Sequence, residues 1–124
     1  YRAALANVPG IAFPVIRDGD RSTYKDLTIL ADPAEFGMGG APLAAALTQE
    51  GIETRRYYVP AVHEQQAYAS SAETPGGLPE TARVGERVVT LPLWIGMTDD
   101  DVTKVAEAIR RVHLHAGEIL KTGG

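Results

Sequence analysis

In "KDLTIL", Leu27 and Ile29 share one parity with Asp26 and Thr28 between and before them, the period of a half-buried strand running from about Tyr24 to Leu30. Upstream, "IAFPVI" (Ile11 to Ile16) is short and apolar and precedes the turn composition "RDGD", which predicts an edge strand interrupted or begun at Pro14. "PAEFGMGGA" reads as a loop. From Pro42 to Glu50, "PLAAALTQE" is built of helix formers, with proline suited to the first helical position. Gly51 follows as a left-handed stop, and Ile52 beyond it is placed to touch Leu47, the contact of a Schellman ending. "ETRRYYV" resumes a strand pattern, whose alternation sends Arg55 and Tyr57 to one face and Arg56 and Tyr58 to the other.

Residues His63 to Gly77 are polar and small and predict a loop, with a helical turn near "HEQQAYA". "PETARVGERVV" predicts a short helix running straight into a strand in "VVTLPLW". The last element carries the strongest signals: Thr98 and Asp101 form a capping box, Asp99 to Asp101 suit a helix N-terminus, and Val102, Val105, Ala106, Ile109 and Val112 share one face. A helix from about Asp99 to about Leu120 is expected. The series predicts an α+β fold, a small two-layer sandwich of three or four mostly antiparallel strands covered on one face by helices. Residues 1–124 form one domain on this reading. The start, "YRAALANVPGI", resembles the last turns of a helix stopped by Pro9 and Gly10, and with no initiator Met it is expected to belong to a longer chain.

Composition narrows the function classes. A chain of 124 residues, 44% hydrophobic and 23% charged, suits one globular domain rather than disorder. The formal net charge of -4 offers no general basic field for nucleic acid or an anionic membrane, so any anion site must be local. The absence of cysteine removes disulfides, thiolate metal sites and thiol nucleophiles, and favours a reducing, cytoplasmic setting. No apolar run approaches membrane-spanning length.

Candidate chemistry is sparse. Of the three lysines, Lys104 and Lys121 read as solvated, whereas Lys25 at a strand's mouth is either a surface residue, the more frequent case, or points into a cleft. His113 and His115 lie two apart on a helix and face different ways, which gives no metal site; His115 should be exposed and His113 should border the core. His63 follows the proline-stiffened "VPAV" close to "RRYY", and is either structural or functional on residue type alone. Arginine beside tyrosine can recognise phosphate or carboxylate, although a strand with snorkelling side chains and a packed tyrosine explains the same letters. No nucleophile elbow, zinc motif, dinucleotide fingerprint or phosphate-loop lysine motif is present.

"STYKDLTIL", "EGIETRRYYVPAVHEQQAY" and "GERVVTLPLWIGMTDDDVTKVAEAIRRV", in this order and spacing, resemble the C-terminal part of the DegT/StrS family of pyridoxal-phosphate-dependent sugar aminotransferases. The resemblance covers nearly the whole chain, and "LPLWIGMTDDDV" is its most specific piece together with the "GIETR" to "YVPAVH" segment. It implies the small C-terminal domain of a fold type I enzyme, a homodimer whose cofactor is held by a separate large domain. The Schiff-base lysine would then lie outside these residues, and the fragment would be inert alone. The resemblance further implies substrate contacts, to phosphate, carboxylate or sugar hydroxyl, for Arg55, Tyr58 and His63. Lys25 stands where many members carry histidine, and a lysine there could pair with a diphosphate. Trp94 either walls the cleft or packs under the final helix. The implied reaction is a ping-pong transfer of an amino group from an amino acid, L-glutamate, to a keto-sugar nucleotide. The competing expectation is a non-catalytic sugar-nucleotide-binding or dimerisation module from a lysine-less relative. Nucleic-acid binding through "RRYY" is disfavoured by the acidic balance.

Overall fold

The computed structural model describes residues 1–122 other than 69, 72 and 75. Strands β1 (Ile11–Ala12), β2 (Leu27–Ala31) and β3 (Val88–Leu91) form one antiparallel sheet in the order β1-β2-β3. The helices are α1 (Arg2–Leu5), α2 (Pro33–Phe36), α3 (Gly40–Gln49), α4 (Pro79–Arg87), α5 (Asp99–Leu114) and α6 (Ala116–Thr122). The α+β class and the antiparallel sheet agree with the sequence pattern.

Alternation along β2 sets the layers. Leu27, Ile29 and Ala31 are buried and belong to the same cluster as Val89 and Leu91 of β3, which pair with Ile29 and Leu27 in register. Leu5 of α1, Leu43 and Leu47 of α3, and Val105, Ile109 and Val112 of α5 complete that cluster with Phe36. Burying each of these side chains contributes on the order of 2 kcal/mol, so the apolar faces of α3 and α5 hold the helices on the sheet. Thr28 and Thr90 have the opposite parity, and their hydroxyls lie 3.1 Å apart on the sheet's other face.

Several boundaries differ from the sequence expectation. The first strand is two residues long instead of extending to Ile16, because Pro14 has no N–H for a ladder. The second begins at Leu27 and not Tyr24, whose φ of 47° takes the backbone out of the extended region. "PAEF", expected as loop, is a helical turn: the Asp32 carboxylate accepts from the Ala34 N–H at 2.9 Å, Pro33 occupies the first position and Gly37 closes it at φ 94°. Helix α3 starts at Gly40, two residues before Pro42. A Cβ there would lie 2.6 Å from the Val88 carbonyl oxygen, so the helix approaches β3 where only glycine fits.

The Schellman ending is present. Gly51 has φ 76°, its N–H donates to Thr48 O at 3.0 Å, and the Ile52 N–H donates to Leu47 O at 2.9 Å. "TRRYY", by contrast, is not a strand. A single bridge joins Arg55 to Thr90, and the chain then turns. Arg56 explains the turn: its guanidinium swings inward to donate to Gly85 O at 2.6 Å and Val88 O at 3.3 Å, capping carbonyls at the end of α4. The polar segment after it holds a short 3-10 helix, Val62–Glu64, and the rest of the expected loop includes residues outside those described.

Helix α4 runs directly into β3 as expected. The strand stops at Leu91, since Pro92 has no N–H to extend the ladder. The capping box is formed: Asp101 N–H donates to Thr98 Oγ1 at 3.2 Å, and Thr98 N–H to Asp101 Oδ2 at 2.9 Å. The final helix does not run unbroken to Leu120. It ends at Leu114, His115 leaves helical geometry, and α6 resumes so that Ala116 and Ile119 turn back onto the core. His113 borders the core, with its ring 5.1 Å from that of Phe36 and Nδ1 2.9 Å from Phe36 O; His115 is exposed.

Candidate functional site

Three elements meet around a cleft of about 530 Å³: the segment after α3, the end of β3 with the connection that follows it, and the first turns of α5. Arg55 is fixed there by its main chain, donating to Thr90 O at 3.0 Å and accepting from Thr90 N–H at 2.7 Å. Its guanidinium pairs with Glu53. Tyr57, beyond the turn, also reaches this cleft and is half-exposed. Trp94 faces the cleft from the connection between β3 and α5, with 51% of its surface open. Lys104 approaches from α5, its ammonium 2.5 Å from Asp100 Oδ2.

The charges of the cleft are largely paired already. The hydrogen bond to Asp100 raises the Lys104 pKa, which keeps the amine protonated. Asp101 accepts from the Thr98 hydroxyl at 2.7 Å and from its N–H, and these bonds hold the carboxyl below its usual range. Asp26 adds a further carboxylate to the wall. Behind the cleft, the Tyr1 hydroxyl donates to Pro92 O at 3.0 Å; burial, with a smaller contribution from the charge of Asp101, pushes its pKa up to about 12. Aromatic walls with cations at the rim can stack a flat ring or a sugar face and receive an anionic group. No nucleophile lies beside a general base among the residues that form this cleft.

The five side chains singled out in the sequence do not converge. Arg55 and Trp94 share the cleft, which places Trp94 at a wall and not under the final helix. Tyr58 lies in a neighbouring depression with Glu80, Val84 and Val88, its ring 5.2 Å from that of Tyr57. His63 sits on the 3-10 helix with Nε2 3.8 Å from Glu64. Lys25 is exposed at the bend before β2 and does not line the cleft, whereas its neighbour Asp26 does. Tyr57 and Lys104 were not selected from the sequence. Strand parity is no signal for Tyr57, since the chain turns after Arg55, and Lys104 lies among polar helix positions.

Residues 1–110 match the model of the DegT/DnrJ/EryC1/StrS aminotransferase family, and the chain belongs to that family. It is 28% identical over 114 residues to the spore coat polysaccharide biosynthesis protein SpsC of Bacillus subtilis, an alignment covering 90% of this chain and 29% of that protein. It is 27% identical over 110 residues to the dTDP-3-amino-3,4,6-trideoxy-alpha-D-glucose transaminase of Streptomyces venezuelae, covering 89% of this chain and 27% of the relative. Among solved structures, DesI in the presence of its TDP-sugar product superposes with a TM-score of 0.86 at 28% identity, over 98% of this chain and 31% of DesI. The chain thus spans less than a third of the length of these relatives.

A pyridoxal phosphate anchor needs an amine that can be deprotonated inside a pocket. Lys25, Lys104 and Lys121 are all exposed, and Lys104 is held as a cation. The described residues do not fit the anchoring site of that cofactor.

Proposed function

We propose that these 124 residues form the small C-terminal domain of a pyridoxal-phosphate-dependent aminotransferase that moves an amino group from an amino acid, L-glutamate, to a keto-sugar nucleotide. The amino acid leaves as its 2-oxo acid and the sugar as an amino-sugar nucleotide. The observation that carries the reading is a cleft equipped to bind but not to react, with Arg55, Tyr57, Trp94 and Lys104 around it, on a fold that superposes on DesI. The cofactor, which supplies the electron sink when bound, is taken to be held by residues outside this chain. Within that enzyme, Arg55 and Trp94 bind and orient the nucleotide-sugar, and Tyr58, His63 and Lys25 contact substrate or the subunit that faces them. The protein acts in the cytoplasm as a homodimer, and the fragment alone is inactive. Among the described residues no helix is long and apolar enough to cross a membrane.

The test is product formation. Full-length protein is incubated with pyridoxal phosphate, L-glutamate and a panel of dTDP- and UDP-keto-sugars, and products are read by mass spectrometry. An amino-sugar nucleotide formed together with 2-oxoglutarate is expected. Release of neither from any member, with nucleotide-sugar binding intact, would overturn the enzymatic reading in favour of a binding module.

A further inference from the structure

Trp94 is carried by a connection with few ties of its own. Between β3 and the cap at Thr98, Gly96 adopts φ 92°, Ile95 is fully exposed, and one turn bond, Met97 N–H to Trp94 O at 3.3 Å, closes the loop on itself. Among the described residues, a single side-chain hydrogen bond reaches the backbone of residues 92–97 from elsewhere, the one donated by Tyr1 to Pro92 O at 3.0 Å. The same hydroxyl lies 3.9 Å from Met97 Sδ, so one phenol touches both ends of the loop.

Tyr1 is itself held firmly. Its ring and Met97 pack against the main core cluster. Helix α1, directly after it, is tied to α5 by the Arg110 guanidinium at Ala4 O, and to the segment beyond β1 by Arg2 donating to Pro14 O at 2.9 Å. The phenol is a protonated donor at physiological pH, and burial moves its ionisation further away from that range.

We infer that Tyr1 is a positioning residue that sets the pose of Trp94 across the cleft by holding the Pro92–Met97 loop against α1. The competing account is a core phenol that merely satisfies the nearest carbonyl. The two differ in where a loss is felt. A structural phenol stabilises the whole domain evenly; a positioning phenol restrains one loop and whatever that loop grips. The consequence for substrate rests on the nucleotide-sugar reading of the cleft.

Tyr1→Phe in the full-length protein keeps the ring and deletes the donor. Amide hydrogen exchange read by mass spectrometry should accelerate roughly fivefold at Met97, the bonded amide of the peptide spanning residues 93–97, the change expected for one net hydrogen bond, with β2 and α5 unaltered. The Michaelis constant for the keto-sugar nucleotide should rise by a similar factor with kcat unaltered. Unaltered exchange at 93–97, or acceleration spread equally over β2 and α5, would overturn the inference. A faster loop with an unaltered Michaelis constant would uphold the role of Tyr1 and contradict instead the reading of the cleft.

Discussion

Arg55 carries the substrate contact proposed above on a side chain whose own ties are weak. Its backbone is clamped by two bonds to Thr90, while its guanidinium rests on Glu53 in a solvent-exposed pair of small energetic worth. An incoming anion can displace that carboxylate at little cost, so Arg55→Ala in the full-length enzyme should raise the Michaelis constant for the nucleotide-sugar about tenfold, the scale of one charge-assisted bond. His63→Ala should raise it as well; thermal melts of both variants should match wild type, and unaltered constants in both would contradict the assignment. Tyr1 gives a pH signature. Its folded pKa of about 12 lies above the ordinary 10.0, so its contribution to stability is complete below pH 10 and is lost as the pH climbs toward 12. Stability measured by urea titration should therefore fall across that window, and Tyr1→Phe should flatten the fall. Asp101 works in the opposite sense: its lowered pKa makes a contribution present above its ordinary 3.8 and lost as the pH falls through the folded value.

At the scale of elements, the sequence was most legible where a few residues fix geometry by themselves. The Thr98–Asp101 box and the Gly51 ending depend on local bonds, and both were readable from the letters. Legibility failed where a distant group decides. "TRRYY" has strand propensity, yet Arg56 turns inward because carbonyls of Gly85 and Val88 stand waiting for a donor. Lys104 is exposed, as its polar helix neighbours suggest; what only the packing of α5 adds is that it stands beside the cleft. Gly40 makes the point testable. In an exposed helix Gly→Ala would stabilise by up to about 1 kcal/mol. Here the Cβ would meet Val88 O at 2.6 Å, so Gly40→Ala should instead destabilise by about 1–3 kcal/mol in chemical denaturation. Gain of stability would mean that α3 does not pack on β3 as described.

At the scale of the molecule, the domain is well filled on one side of its sheet and open elsewhere. Tyr57, Tyr58, Val59, Val62, Leu78 and Val84 are large, apolar and exposed, and several share the depressions beside α4. Such surface is of the kind that a partner covers, and on the proposed reading that partner is the large domain or a second subunit. Expressed alone, these 124 residues should fold and bind a hydrophobic dye or self-associate; a strict monomer that binds no dye would count against a missing covering surface. The fold class was legible because amphipathic periodicity specifies it. The site was legible only in part, since Arg55 and Trp94 meet in one cleft while Tyr58, His63 and Lys25 lie apart from it.

The measurement that bears most directly on the account is the visible absorption spectrum of the full-length protein supplied with pyridoxal phosphate, before and after L-glutamate. A cofactor band that bleaches with glutamate and returns on addition of a keto-sugar nucleotide is the predicted result. A protein that develops no such band would contradict the aminotransferase reading, and would leave the cleft of Arg55 and Trp94 as the working part of a binding protein.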